Sequence, residues 1–221
     1  MSVQVEPNRL NDILKFELDK YQSREVVTLA LLQNLAVGAV LGKITKGACP
    51  TTGTEGTNTG AGTCTSVTAG AKAKVGTYTL KCIIAASGAG IFSVEDPDGF
   101  ALPEAIVAVA YENDQINFTL NDASPDFVVG DTFTIEIAAG SGQVTTINFD
   151  AVDGSADAYG ILAADTDATS AAKSTVAIVR DAQVVEANLV WPTTSPAVSA
   201  AQKAAAMAQL KDKGIVAVVE A

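Results

Sequence analysis

The run Glu186–Val219, EANLVWPTTSPAVSAAQKAAAMAQLKDKGIVAVV, decides how this chain is read. It holds the only tryptophan, Trp191, followed at once by Pro192. Proline fixes its own φ and pushes the residue before it toward extended backbone, so the pair reads as a strand ending at a corner. Ser199 with Gln202 three residues on is a capping-box pattern. The following AAQKAAAMAQLKDK has strong helix propensity and predicts a helix with Ala200, Ala204, Met207 and Leu210 on one side. Lys211 and Lys213 suit its negative end, and Gly214 suits the left-handed residue just beyond. IVAVV then reads as a buried closing strand.

Upstream, from Gln143 to Pro192, the chain alternates strands and turns. At the front, REVVTLALL is rich in Val and Thr and reads as a strand. AVGAVLGKIT reads as another, bent at Gly38 and Gly42. DILKFELDK is open to two readings. As a strand it sets Leu14, Phe16 and Leu18 on one side and Lys15 and Glu17 on the other; as a helix it gathers Leu10, Ile13, Leu14 and Glu17.

Between these pieces the composition changes. KGACPTTGTEGTNTGAGTCTSVTAGAKAKVG is rich in Gly and Thr and reads as a linker or long loop. Beyond it come GTYTLKCII, with Tyr78, Leu80, Cys82 and Ile84 on one face, then GIFSVEDPDG running into a turn. AIVAVAY reads as a buried strand. QINFTLN carries Ile116, Phe118 and Leu120 on one face, and DTFTIEI carries Phe133, Ile135 and Ile137. Short alternating strands with frequent turn signals predict a small antiparallel β-sandwich, bounded near Gly56 and Gly140. The expected organisation is therefore a host domain in two pieces, 25–55 and 141–221, interrupted by a β module at 56–140 and preceded by an arm over 1–24.

Several functions are disfavoured. The chain has 221 residues, a net charge of −11 and no histidine. Such acidity repels nucleic acid phosphates. Lack of histidine removes Ser–His and Cys–His nucleophile activation and the commonest metal ligand. GAVLGKIT is one residue too short for a phosphate loop and has Ile44 where Ser or Thr should sit. DPDGFALPE and DAVDGSAD lack calcium-loop spacing and are explained by turn chemistry. Asp131 and Glu136 read as solvated strand positions. Cys49, Cys64 and Cys82 form no C-x-x-C pair and read as packing thiols, with a Cys64–Cys82 bridge as the alternative. No apolar run is long enough for a transmembrane helix, and the first twenty residues do not read as a signal peptide. The expectation is no enzyme, no cofactor, no metal and no membrane.

One resemblance gathers these features. DGSADAYGILAADTDATSAAKSTVAIVRDAQVVEANLVWP followed by SAAQKAAAMAQLKDKGIVAV resembles the head decoration, or cement, proteins of tailed phages of the lambda protein D type. The shared pattern is a D-G turn, a G-I-L-A strand at Gly160–Ala163, an LVWP corner at Leu189–Pro192, a capped helix and a final apolar strand. DILKFELDKYQSREVVTLA and LAVGAVLGKIT resemble the start of longer members. The central module looks like an Ig-like insert seen in some phage structural proteins.

The resemblance implies a mainly β fold of the β-clip type with one C-terminal helix. It implies a homotrimer on the outside of the expanded head, made in the host cytoplasm, that stabilises the shell against internal DNA pressure. It also implies an N-terminal arm that adds a strand to the major capsid protein; the candidate arm residues are Leu14, Phe16, Leu18 and Arg24, expected to become ordered on the capsid. Trp191 and Pro192 are a core corner, a trimer contact, or both, since the corner of a small β domain is also its edge. The insert is a candidate for contact with the host surface or glycans. The rival reading is a carbohydrate- or cell-surface-binding β-sandwich protein of the virion.

Overall fold

The computed structural model describes residues 8–193 and 197–218. Residues 1–7 of the expected arm and Val219 of the expected closing strand lie outside these. The chain divides into two compact units, Met1–Thr45 with Gly142–Ala221, and Lys46–Ser141.

The first unit opens with a single helical turn α1 (Leu10–Ile13), strand β1 (Leu14–Glu17) and another turn α2 (Lys20–Ser23). Strands β2 (Arg24–Leu29), β3 (Gln33–Leu35) and β4 (Val40–Lys43) follow. The second unit then contributes β5 (Thr54–Glu55), β6 (Thr63–Ala69), β7 (Gly76–Ile84), β8 (Ile91–Glu95), β9 (Ala101–Ile106), β10 (Ala110–Tyr111), β11 (Ile116–Asn121) and β12 (Thr132–Ile137). Back in the first unit lie β13 (Val144–Thr146), β14 (Ala158–Leu162), β15 (Thr166–Ala168), β16 (Lys173–Ile178) and β17 (Ala182–Val185). A 3-10 turn (Glu186–Asn188), the helix α3 (Ala200–Asp212) and strand β18 (Ile215–Val218) complete it. The fold is mainly β, and α3 is the one helix longer than a turn among the described residues.

In the first unit β13, β2, β16, β14 and β4 close into a barrel. Beside it β1, β17 and β18 form a three-stranded sheet, with β17 central, antiparallel to β1 and parallel to β18. Leu29, Leu41, Val144, Leu162 and Ala177 fill one core cluster; Ile13, Val40, Ile161, Val184, Leu210 and Ile215 fill another. Gly42 is obligatory: a Cβ there would run into the backbone of Ser155. Gly38 has φ +88 and lies against Ile13. The two glycines of GAVLGKIT thus serve strand packing.

The capping box of α3 forms as expected: Ser199 Oγ accepts from the Gln202 N–H and the Gln202 side chain accepts from the Ser199 N–H. Gly214 has φ +79, as a helix-ending residue should. The buried face keeps Leu210 and the partly buried Met207 of the expected set but not its two alanines. Ala206 and Leu210 are buried while Ala200 and Ala204 are exposed. In an alanine-rich helix the apolar residues do not mark a face. Gln209 fixes it instead, accepting from the Ala158 N–H at 2.7 Å and donating to Asp157 at 2.8 Å. β18 is an edge strand: Ile215 is buried, but Val216 and Ala217 are exposed.

The second unit packs two sheets, β10–β11–β6 and β5–β12–β7–β8–β9, over one core that includes Cys64, Val67, Tyr78, Leu80, Phe92, Phe118 and Phe133. The faces expected for β11 and β12 are the buried ones. Its front boundary falls at Lys46 rather than Gly56, because Thr52 bridges Thr65 and β5 pairs with β12. Part of the expected loop is the strand β6. Ser66, at φ +55, breaks its alternation, so Cys64 and Val67 are buried three residues apart and the strand period is lost. AIVAVAY is not one strand: the chain turns at Ala108, φ +63, between β9 and β10. All three cysteines are free thiols. Burial pushes the Cys64 thiol up to about 11.

Candidate functional site

The N-terminal segment is built onto the first unit. Ile13 is fully buried, and the Asp12 carboxylate accepts from the Arg9 N–H at 2.8 Å to cap α1. β1 pairs with β17, Leu14 opposite Val184 and Phe16 opposite Gln183. A bulge between Leu14 and Phe16 breaks the expected alternation. Leu14 packs toward the core, while Phe16 and Leu18 leave 54% and 59% of their surface in solvent. Tyr21 and Val26 are also strongly exposed. β1 has β17 as its one strand partner, so its other edge is open among the described residues.

Arg24 is not an outward-reaching arm residue. Its Nε and Nη2 donate to the two carboxylate oxygens of Glu17 at 2.8 and 2.7 Å. This fork joins β1 to the start of β2, and raises the Arg24 pKa. The family resemblance placed Leu14, Phe16, Leu18 and Arg24 in one functional set. The structure keeps Phe16 and Leu18 on the surface, turns Leu14 inward and engages Arg24 with its own chain. Tyr21 and Val26 join the exposed set; Tyr21 stands between exposed Lys20 and Gln22, and Val26 beside the buried Val27.

Trp191 and Pro192 are half-buried. The indole packs against the core cluster of Ile13 and Leu210, and the Lys203 ammonium lies 5.6 Å from its ring centroid. A pocket of about 630 Å³ opens beside it, lined by Val185, Glu186, Asn188, Leu189, Trp191 and Lys203 among others. Asn188 ties this corner to the N-terminal segment. Its carbonyl accepts from the Asn8 side chain at 3.0 Å, and its amide donates to the Asp12 carbonyl at 2.8 Å. The two places singled out in the sequence are therefore linked through one residue.

Elsewhere the titratable groups do structural work. Lys74 donates to Asp96 at 2.6 Å and to Asp98 at 2.7 Å. With help from the Phe100 and Asp98 N–H groups, Lys74 draws the Asp96 carboxyl down to about 2. This is the turn chemistry expected of DPDG. Asp131, expected in solvent, is buried and accepts from the N–H groups of Thr59, Gly60 and Val128. Burial pushes its pKa up, but these donors outweigh that and hold it below the ordinary value. Among the described residues no His, Cys, Asp and Glu cluster could hold a metal, and no helix is long and apolar enough to cross a membrane.

Comparison with known proteins adds the following. No curated protein matches the chain. Two crystal forms of FlgL from Xanthomonas campestris align at 16% identity. The first, in space group H3, has a TM-score of 0.32 and covers 47% of this chain and 33% of that one. The second, in space group C2, has a TM-score of 0.28 and covers 50% and 32%. The chain spans about a third of those FlgL chains, and at these TM-scores the likeness carries no argument. The profile of the family described as Bacteriophage lambda head decoration protein D matches residues 3–96 and 97–215. With nearly the whole sequence matched, this mainly β chain with its LVWP corner and capped C-terminal helix belongs to the family of the bacteriophage lambda head decoration protein D.

Proposed function

We propose that the protein is a cement for the phage head: a homotrimer on the outer capsid surface that holds neighbouring capsid subunits together against DNA pressure. The family match supports decoration of the head. The observation that carries the finer reading is the exposed apolar surface of Phe16, Leu18, Tyr21 and Val26 beside the open edge of β1. A strand of the major capsid protein added at that edge would satisfy its free backbone groups and cover Phe16 and Leu18. This differs from an arm that orders only on binding, because β1 is already paired with β17. A trimer presents three such edges, and each bound one raises the effective concentration of the next. Attachment of this kind needs neither catalysis nor a cofactor. The acidic surface suits a protein outside the shell, away from packaged DNA.

Co-sedimentation of the purified full-length protein with expanded capsids lacking it tests the reading. Saturable binding in threes at three-fold positions is expected. Failure to bind such capsids, or binding as scattered monomers, contradicts it.

A further inference from the structure

One end of the second unit carries an aliphatic row that its own core does not use. β7 is bulged at Ile83: Cys82 pairs with Phe92, but Ile84 pairs with Ile91. The bulge turns Ile84 away from the core filled by Tyr78, Leu80 and Cys82, although simple alternation would have placed it there. Ile91 pairs in turn with Ile106. Three isoleucines thus lie side by side across β7, β8 and β9, on the face opposite the buried row of Cys82, Phe92 and Ala105. Ile84 and Ile106 are 51% and 47% exposed. The loop before β12 adds Val128 and Val129, 40% and 63% exposed. It is held beside this row because the Gly130 N–H donates to the Cys82 carbonyl and the Cys82 N–H to the Asp131 carbonyl. Single exposed aliphatic residues are ordinary, but a contiguous group at one sheet end marks an interaction surface.

The rim gives the partner's charge. Glu104 stands two residues before Ile106, and Asp126 two before Val128. Asp122 lies against Gly88 of the β7–β8 hairpin, 3.7 Å from where a Cβ would stand. All three acids are exposed. The ion pairs described in this unit belong to Lys72, with Asp114, and to Lys74, with Asp96 and Asp98, so the three rim acids are unneutralised. Lys81, also exposed, stands on β7 two residues before Ile83. A second copy facing the same patch would bring like charges together, and anionic membranes and nucleic acids are repelled for the same reason.

We propose that this end of the second unit docks a cationic protein surface, an aliphatic patch edged with Lys or Arg. This goes beyond attachment to the head and concerns the unit that the attachment surface does not use.

The full-length protein, isotope-labelled, is titrated with an amphipathic Leu/Lys helical peptide and with its Leu/Glu counterpart. Amide shifts are expected to saturate with the Leu/Lys peptide and to centre on residues 83–84, 91, 106 and 128–129. The pair Ile84→Ser with Ile106→Ser should weaken binding at least about tenfold. The pair Glu104→Lys with Asp126→Lys should move the preference to the Leu/Glu peptide, which keeps the test open if the serine variant folds poorly. Shifts centred elsewhere, such as on Glu112–Asp114, overturn the proposal. So does an equal response to both peptides, or undiminished affinity in a folded serine variant. Capsid co-sedimentation is unchanged in all these variants, which separates this result from the attachment reading.

Discussion

Arg24 grips Glu17 with both ends of its guanidinium fork, at 2.8 and 2.7 Å, across the turn that separates β1 from β2. Together with the β1–β17 pairing and the buried Ile13, this pair makes the N-terminal segment part of the folded unit before any partner arrives. Both side chains are less than a third exposed, so the bond is shielded more than a surface ion pair. Arg24→Ala should cost about 1 kcal/mol and speed amide exchange over Leu14–Glu17, read by hydrogen exchange. Arg24→Lys should restore little of this, since a single ammonium cannot form the fork.

Ile13 and Phe16 are three residues apart and should behave as opposites. Ile13 is fully buried and Phe16 is not. Ile13→Ala should destabilise the protein by about 2–5 kcal/mol in denaturant unfolding. Phe16→Ala should change it by less than about 0.5 kcal/mol.

The Lys74–Asp96 pair gives the second unit an acid sensitivity. Lys74 holds the Asp96 carboxyl at about 2, below its ordinary value of about 3.9. Stability from a depressed carboxyl is fully present above the unfolded value and lost as pH falls through the folded one. The unit should therefore loosen between about pH 4 and pH 2. Asp96→Asn should lower its melting temperature at neutral pH and flatten its pH dependence over that range, followed by the amide spectrum of residues 74–100. An unchanged acid profile in that variant contradicts this assignment.

Trp191 is the chain's only tryptophan, half-buried beside Lys203. If the corner is a trimer contact, trimer formation shields the indole and its emission moves to the blue. An emission maximum constant across monomer and trimer fractions places the contact elsewhere.

Much of the fold was legible because strand periods survive where both faces are plain. β11 and β12 alternate cleanly, and their buried residues are the expected ones. The misses have local causes. A positive φ at Ser66 hid β6, one at Ala108 divided AIVAVAY, and a bulge at Ile83 put Ile84 outside. The sequence reading of α3 found Met207 and Leu210 of its packed face but not Ala206 or the Gln209 anchor, because in an alanine-rich helix the alanines carry no period. In the candidate site Phe16 and Leu18 were legible as apolar residues in a polar segment. The inward turn of Leu14 and the grip of Arg24 on Glu17 were not, because both depend on a bulge and a partner contact that carry no sequence period.

On the proposed reading the capsid covers the surface of β1, which is already folded. Covering the exposed half of Phe16 is worth about 0.8–1.5 kcal/mol, or roughly four- to tenfold in affinity for each of three subunits, and an aspartate there adds the cost of burying a charge. The decisive measurement is the occupancy of Phe16→Asp on expanded capsids lacking the protein, with the wild type run beside it and both confirmed folded by thermal unfolding. A loss of at least about tenfold in occupancy affinity is expected, with a melting temperature within about 2 °C of the wild type. Wild-type occupancy by a folded Phe16→Asp protein would contradict it.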